Sequence, residues 1–136
     1  MKNLFLLLFL FLSGLVSSHS IAQTPTSVLS EKYFGNISYV SGGIGDEERD
    51  EIRVRERDFN LKLLFSERDG SYLGDVDVVM VNAKGVTVLE AKSVGPFLLV
   101  QLPGGSYGIK VSANGQVQQG RLSIPAKGKH EGVFRW

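Results

Sequence analysis

The chain of 136 residues contains no cysteine, so neither disulfide staples nor thiolate chemistry is open to it. Histidine is nearly absent as well: one of the two, His19, lies in the N-terminal apolar segment, which leaves His130 alone in the remainder. That excludes Cys–His pairs and multi-histidine metal centres. A Ser–His–Asp triad has only His130 to draw on, and in the polar stretch Gly128-Lys129-His130-Glu131 a solvated turn histidine is the better reading. A surplus of charge is missing too, with 15 basic residues against 14 acidic ones. Nucleic-acid binding usually requires a clear basic excess, so that class of partner is set aside. The sequence carries no internal repeat and no low-complexity tract.

What is present begins with MKNLFLLLFLFLSGLVSSHSIA: a lysine at position 2, an apolar run from Leu4 to Leu12, then small and polar residues leading to Ser20-Ile21-Ala22. This is the pattern of a secretory signal peptide over residues 1–22, cut between Ala22 and Gln23. A spanning helix needs about 20 apolar residues, and this run gives out near Val16, so a membrane anchor is not expected after cleavage. Without cysteine there is no site for lipid acylation. Removing residues 1–22 takes one basic residue, Lys2, and no acidic one, so the charges of the exported chain balance. Its length suits one domain that buries roughly two-thirds of its unfolded surface. The expected compartment is the periplasm, with the extracellular medium as the alternative.

Residues 23–45 read as a flexible leader and an N-terminal arm, in which Tyr33–Val40 (YFGNISYV) has the aromatic and β-branched content of a short strand. The stretch YVSGGIGDEERDEI places three glycines before a run of carboxylates. Asp46 reads as an N-cap, acids crowd the first turns, and Arg53, Arg55 and Arg57 fill the last, a gradient that complements the helix dipole and predicts a helix over about 46–58. Ile52 and Val54 alternating with arginines would also suit a strand, but the gradient favours the helix. From Asn60 onward seven short β-rich runs follow: 61–66, 75–82, 86–91, 97–102, 107–113, 116–124 and 132–136. Asn114-Gly115 between two of them is a strong hairpin signal, because both positions accept positive φ. Seven such runs predict a small antiparallel sandwich, with its core in residues 60–136.

The run Phe97–Val111, FLLVQLPGGSYGIKV, ends a strand on Leu-Pro, bends on glycine and opens the next strand on tyrosine. Together with DVDVVMVNAKGVTVLEAKSVG before it, this resembles the prealbumin-like (transthyretin-like) sandwich of carboxypeptidase regulatory-like and collagen-adhesin B-type domains, over about residues 60–127. The order of signal peptide, acidic helix, FNLKLLFS, sandwich and terminal FRW looks like a group of small exported bacterial proteins labelled carboxypeptidase regulatory-like. The resemblance implies a mainly β, seven-stranded antiparallel Greek-key sandwich with one short N-terminal helix, and no catalysis. In this superfamily the carboxypeptidases keep their zinc chemistry in a separate domain, and the hydroxyisourate hydrolases need several histidines. Pro103, Gly104, Gly105 and Tyr107 have a structural reading: proline ends the strand, glycine lets the chain reverse, and the tyrosine buries its ring while its hydroxyl reaches nearby backbone.

Three ligand chemistries and one membrane architecture are open to these residues. A phosphate cradle at Gly42–Gly45 is disfavoured by Asp46, Glu47 and Glu48, which would repel an anion from the helix start. Asp69, Asp75 and Asp77 lack calcium-loop spacing and suit a polar connection between strands. The aromatic ending raises an outer-membrane barrel, but the strands are too few and too short for one. Glycan binding on exposed aromatics is the livelier option, with Tyr72, Tyr33 and Phe34 as tentative contacts and Phe97 assigned to the core. The overall expectation is a non-catalytic binding or protein-interaction module of the cell envelope, without cofactor, metal or nucleotide. Its partner would be an envelope protein, or alternatively a glycan. If residues 1–22 are a signal peptide, the exported protein begins at Gln23; an intact mass that retains them overturns that reading.

Overall fold

The computed structural model describes residue 20, residues 22–23 and residues 26–136. The expected signal sequence therefore lies almost entirely outside the described residues; Ala22 and Gln23, which flank the expected cut, are exposed and in no regular element. Among the described residues no helix is long and apolar enough to cross a membrane.

The described residues form nine strands and one helix in the order β1 (Lys32–Phe34), β2 (Ile37–Gly42), α1 (Asp46–Arg55), β3 (Leu61–Ser66), β4 (Val76–Asn82), β5 (Thr87–Ser93), β6 (Phe97–Val100), β7 (Gly105–Ala113), β8 (Gln116–Ile124) and β9 (His130–Arg135). The helix continues as a 3-10 turn over Glu56–Asp58, so the predicted 46–58 helix is present with a tightened last turn. The strands form a five-stranded sheet in the order β1-β2-β6-β3-β9 and a four-stranded sheet in the order β5-β4-β7-β8. Side chains alternate along each strand. One set from each sheet, Leu61, Leu63 and Phe65 facing Val76, Val78 and Met80 among them, meets in a shared buried core. Asn114 and Gly115 take φ of 51° and 72° in the β7–β8 turn, the positive pair that joins these strands tightly.

Four sequence expectations change. There are nine strands where seven were expected, because the arm itself forms the β1–β2 hairpin and β2 pairs with β6. The sandwich is not wholly antiparallel: β9 runs parallel to β3, from Leu61 opposite His130 to Ser66 opposite Arg135. His130 therefore opens a strand, half-buried, instead of sitting in a solvated turn. Finally, the helix N-cap is Gly45, not Asp46, which is the first helical residue.

The outer face of the five-stranded sheet has a second cluster, in which Val40 and Leu99 pack under Ile52 of α1, with Leu29 and Phe59 closing its sides. Ile52 is the one buried residue of α1, so apolar contact alone holds this helix weakly and polar anchors supplement it. The Glu51 carboxylate accepts from the Ser27 hydroxyl and from the backbone N–H groups of Val28 and Leu29, while Arg55 donates to Leu29 O at 2.9 Å and pairs with Glu31 at 3.1 Å. These bonds tie residues 27–31 onto the helix.

Burial alone would push the Glu51 carboxyl up, but the hydrogen bonds from Ser27, Val28 and Leu29 and the nearby Arg55 charge outweigh it and hold the group below its ordinary value. A carboxyl with a lowered folded-state pKa stabilises fully above the ordinary glutamate range, and that contribution disappears as pH falls through the lowered value. Hydrogen exchange should accordingly show Val28 and Leu29 protected at neutral pH and released on acidification below the glutamate range. Glu51→Gln should lower the protection at neutral pH and flatten its pH dependence; a variant indistinguishable from the parent would show that Glu51 does not anchor the arm.

Candidate functional site

The glycine loop comes first, because it most resembled a ligand cradle. Two of its backbone donors are already occupied: Glu48 Oε2 accepts the N–H groups of Gly43 at 2.8 Å and of Ile44 at 2.9 Å. Arg49 donates to Gly43 O at 3.2 Å and pairs with Asp46. The carboxylate stands where an incoming anion would have to bind. The glycines have a packing reason instead. A Cβ on Gly43, whose φ is 103°, would lie 2.5 Å from Phe97 Cδ2, and one on Gly95 would overlap the Gly42 carbonyl. Bare backbone is what lets β2 pass this close to the turn before β6.

Beside this loop the outer face of the five-stranded sheet is only partly covered. Register places Gly42, Phe97, Leu64 and Val133 in one row across β2, β6, β3 and β9, and Val40, Leu99, Lys62 and Glu131 in the next. Helix α1 lies over Val40 and Leu99; among the described residues the β3–β9 half has no such cover, and Val133 is 52% exposed. Tyr72, 54% exposed, leaves the β3–β4 connection to lean edge-on against Phe97, with ring centroids 5.8 Å apart. Arg49 sits 5.8 Å from the Tyr72 ring and Lys62 5.5 Å from the Phe97 ring, each within cation–π range. Lys62 is in turn paired with Glu56 at 2.5 Å. The result is a held pair of aromatic rings flanked by two cations, continuous with an uncovered aliphatic strip.

The three tentative glycan contacts are not brought together. Tyr33 and Phe34 are neighbours on β1 and so point to opposite faces; Tyr33 is 67% exposed, with its hydroxyl near Glu31, while Phe34 turns into a cleft of about 420 Å³ at one end of the sandwich. Tyr72 belongs to the separate ring pair. Phe97, assigned to the core from its apolar run, is half-buried and lies on the outer face, packed against the cluster under α1.

The cleft forms where the β1–β2 turn, the β4–β5 turn and the link before β7 converge. Phe34, Ile37, Val88 and Pro103 supply its apolar lining, and Asn36, Asn82 and Thr87 its polar one. Asn82 Oδ1 accepts from the Lys84 and Val86 N–H groups, both at 3.0 Å, which fixes the carboxamide plane. Tyr107 closes one side; its hydroxyl donates to Pro103 O at 2.6 Å, and burial pushes its pKa up. Sequence reasoning missed this cleft, because its parts lie far apart in the chain and include no ionisable motif.

The remaining polar candidates are dispersed. Asp69 Oδ1 accepts from the Ser71 N–H, which holds its carboxyl below the ordinary range, and Asp77 pairs with Lys92 at 3.0 Å. Among the described residues no group of three or more His, Cys, Asp or Glu side chains gathers in a form that would hold a metal ion. His130 donates its backbone N–H to Asn60 O at 2.8 Å and makes no side-chain hydrogen bond among the described residues. No family model matches the chain, and no curated protein matches it.

The assignment of Glu48 as the loop's own acceptor is open to test. Glu48→Ala leaves the Gly43 and Ile44 N–H groups without their partner and should cost about 1–3 kcal/mol in urea unfolding. An unchanged midpoint would mean that water serves these donors as well as the carboxylate does.

Proposed function

We propose that this chain is a non-catalytic binding module of the cell envelope, exported to the periplasm, which engages a protein partner through the surface around Tyr72 and Phe97. The observation that carries the reading is the ring pair itself. Tyrosine and arginine dominate the energetically decisive positions of protein interfaces, and aromatic side chains already held in place lose little freedom on docking. Here Phe97 backs Tyr72, Arg49 flanks it, and the exposed Val133 and half-buried Leu64 extend the apolar area toward β9. Apolar surface of this kind beside polar residues is characteristic of interaction sites.

The non-catalytic part rests on chemistry. His130, the sole histidine after residue 22, makes no side-chain hydrogen bond to a nucleophile or carboxylate among the described residues. Export rests on the apolar segment of residues 4–12 and the small residues after it. The finer fold reading, a prealbumin-like Greek key of the carboxypeptidase regulatory-like type, is supported by the path of the chain. It leaves the four-stranded sheet after β5, enters the other as β6, and returns as β7 beside β4.

A photoreactive phenylalanine analogue in place of Tyr72, in the exported protein, should give one discrete cross-linked product in envelopes. The same analogue at Val117, on the outer face of the other sheet, should not. Tyr72→Ala should weaken capture of that partner by about tenfold or more, the scale of an interface residue whose loss matters. Identical cross-linking from both positions would overturn the assignment of this surface.

A further inference from the structure

We propose that the cleft lined by Phe34, Asn36, Asn82 and Thr87 is a binding site for a neutral saccharide ring. This names a ligand class for the binding-module reading and rests on it, but uses residues separate from the Tyr72 surface.

The first argument is charge. Among the described residues no lysine, arginine, aspartate, glutamate or histidine lines the cleft, although charged residues make up 21% of the chain. An ionic ligand entering there would lose hydration with nothing of opposite charge to replace it. The one ionisable group, the Tyr107 hydroxyl, is already committed to Pro103 O. The ligand is therefore uncharged.

The second argument is the polar inventory. A purely apolar guest would strip water from Asn36, Asn82 and Thr87 and give nothing back, at about 1–3 kcal/mol for each group left unpaired. Two carboxamides and a hydroxyl offer both donors and acceptors, which is what a ring of hydroxyl groups requires. Asn82 is set for this. Its oxygen is bound by the Lys84 and Val86 N–H groups, so the carboxamide cannot rotate freely, and its Nδ2 makes no hydrogen bond among the described residues. That leaves a donor pre-oriented by the β4–β5 turn.

The third argument is shape. Phe34 presents a half-buried aromatic ring, with Ile37, Val88 and Pro103 completing an apolar wall against which the C–H face of a pyranose can lie. A volume of about 420 Å³ falls in the range of small-molecule sites, and the turns at one end of a sandwich are where binding residues concentrate.

The test is amide chemical-shift mapping of the exported, purified protein with maltose, cellobiose and diacetylchitobiose at millimolar concentration, and with glucuronate and indole as charged and apolar comparisons. At least one disaccharide should shift Gly35, Asn36, Thr87, Val88 and Tyr107 in a saturable way. Phe34→Ala should weaken that binding by about tenfold. Asn82→Asp keeps the acceptor that the turn uses and removes the Nδ2 donor, so it should also weaken binding by about tenfold while leaving thermal unfolding unchanged. The inference is overturned if no disaccharide moves these residues, if shifts fall around Tyr72 instead, or if indole or glucuronate binds the cleft and the disaccharides do not. A blank saccharide result with the Tyr72 cross-link intact removes this inference alone, whereas loss of both removes the binding-module reading itself.

Discussion

Burial of β6 on both faces is the constraint on which the rest of the structure depends. Leu98 and Leu99 are adjacent, fully buried, and belong to different clusters: Leu98 joins the core between the sheets, and Leu99 the cluster on the outside. A sheet with one apolar face needs only its partner sheet. A strand that is apolar on both faces requires a second cover, which here is α1 together with Leu29 and Phe59. Because α1 contributes only Ile52 to that cover, its carboxylates and arginines do much of the attachment. Glu48 reaches back to the glycine loop, and Glu51 and Arg55 reach across to the arm, where they engage backbone groups of Val28 and Leu29.

The same arrangement explains where the surface is left uncovered. Among the described residues the helix lies over β2 and β6 and leaves β3 and β9 without such cover, so the row from Phe97 through Leu64 to Val133 runs from beneath the cover into solvent. Tyr72 shields the first of these side chains and is steadied by Arg49, a residue of the covering helix. Cover and surface therefore share parts, and the geometry of one sets that of the other. The cleft at the end of the sandwich, by contrast, depends on turns. Asn82 both closes the β4–β5 turn with its oxygen and lines the cleft, so a local turn requirement places a polar side chain on the cleft wall.

Much of the fold was legible in the sequence wherever the decisive interaction is local. The run at 61–66, the strand at 116–124 and the Asn114-Gly115 turn follow from alternation and from residues that accept positive φ. The helix followed from its acid-to-base gradient, although the carboxylate that binds the loop ahead of its start belongs to Glu48, in the first turn, and not to Asp46. Less was legible where pairing is distant. The segment at 33–40 has strand composition, but whether it joins a sheet depends on the free edge of β6 about sixty residues later. The direction of β9 was hidden for the same reason, since a strand's composition does not state which way its partner runs.

By itself, then, the sequence determined the class of chemistry and the local elements. It has no cysteine, only two histidines and a net charge of only +1, and these are properties of composition that no folding can change. Only the tertiary structure decided which side chains stand together. Phe97 sits in an apolar run that suits a core strand, yet its neighbours put it on the outer face beneath Tyr72. Phe34 and Asn82 are nearly fifty positions apart and share one cleft. The physical reason is that an isolated polar or aromatic residue has the same intrinsic properties wherever it lies. Its function comes from neighbours supplied by pairing register and by the packing of one sheet against another.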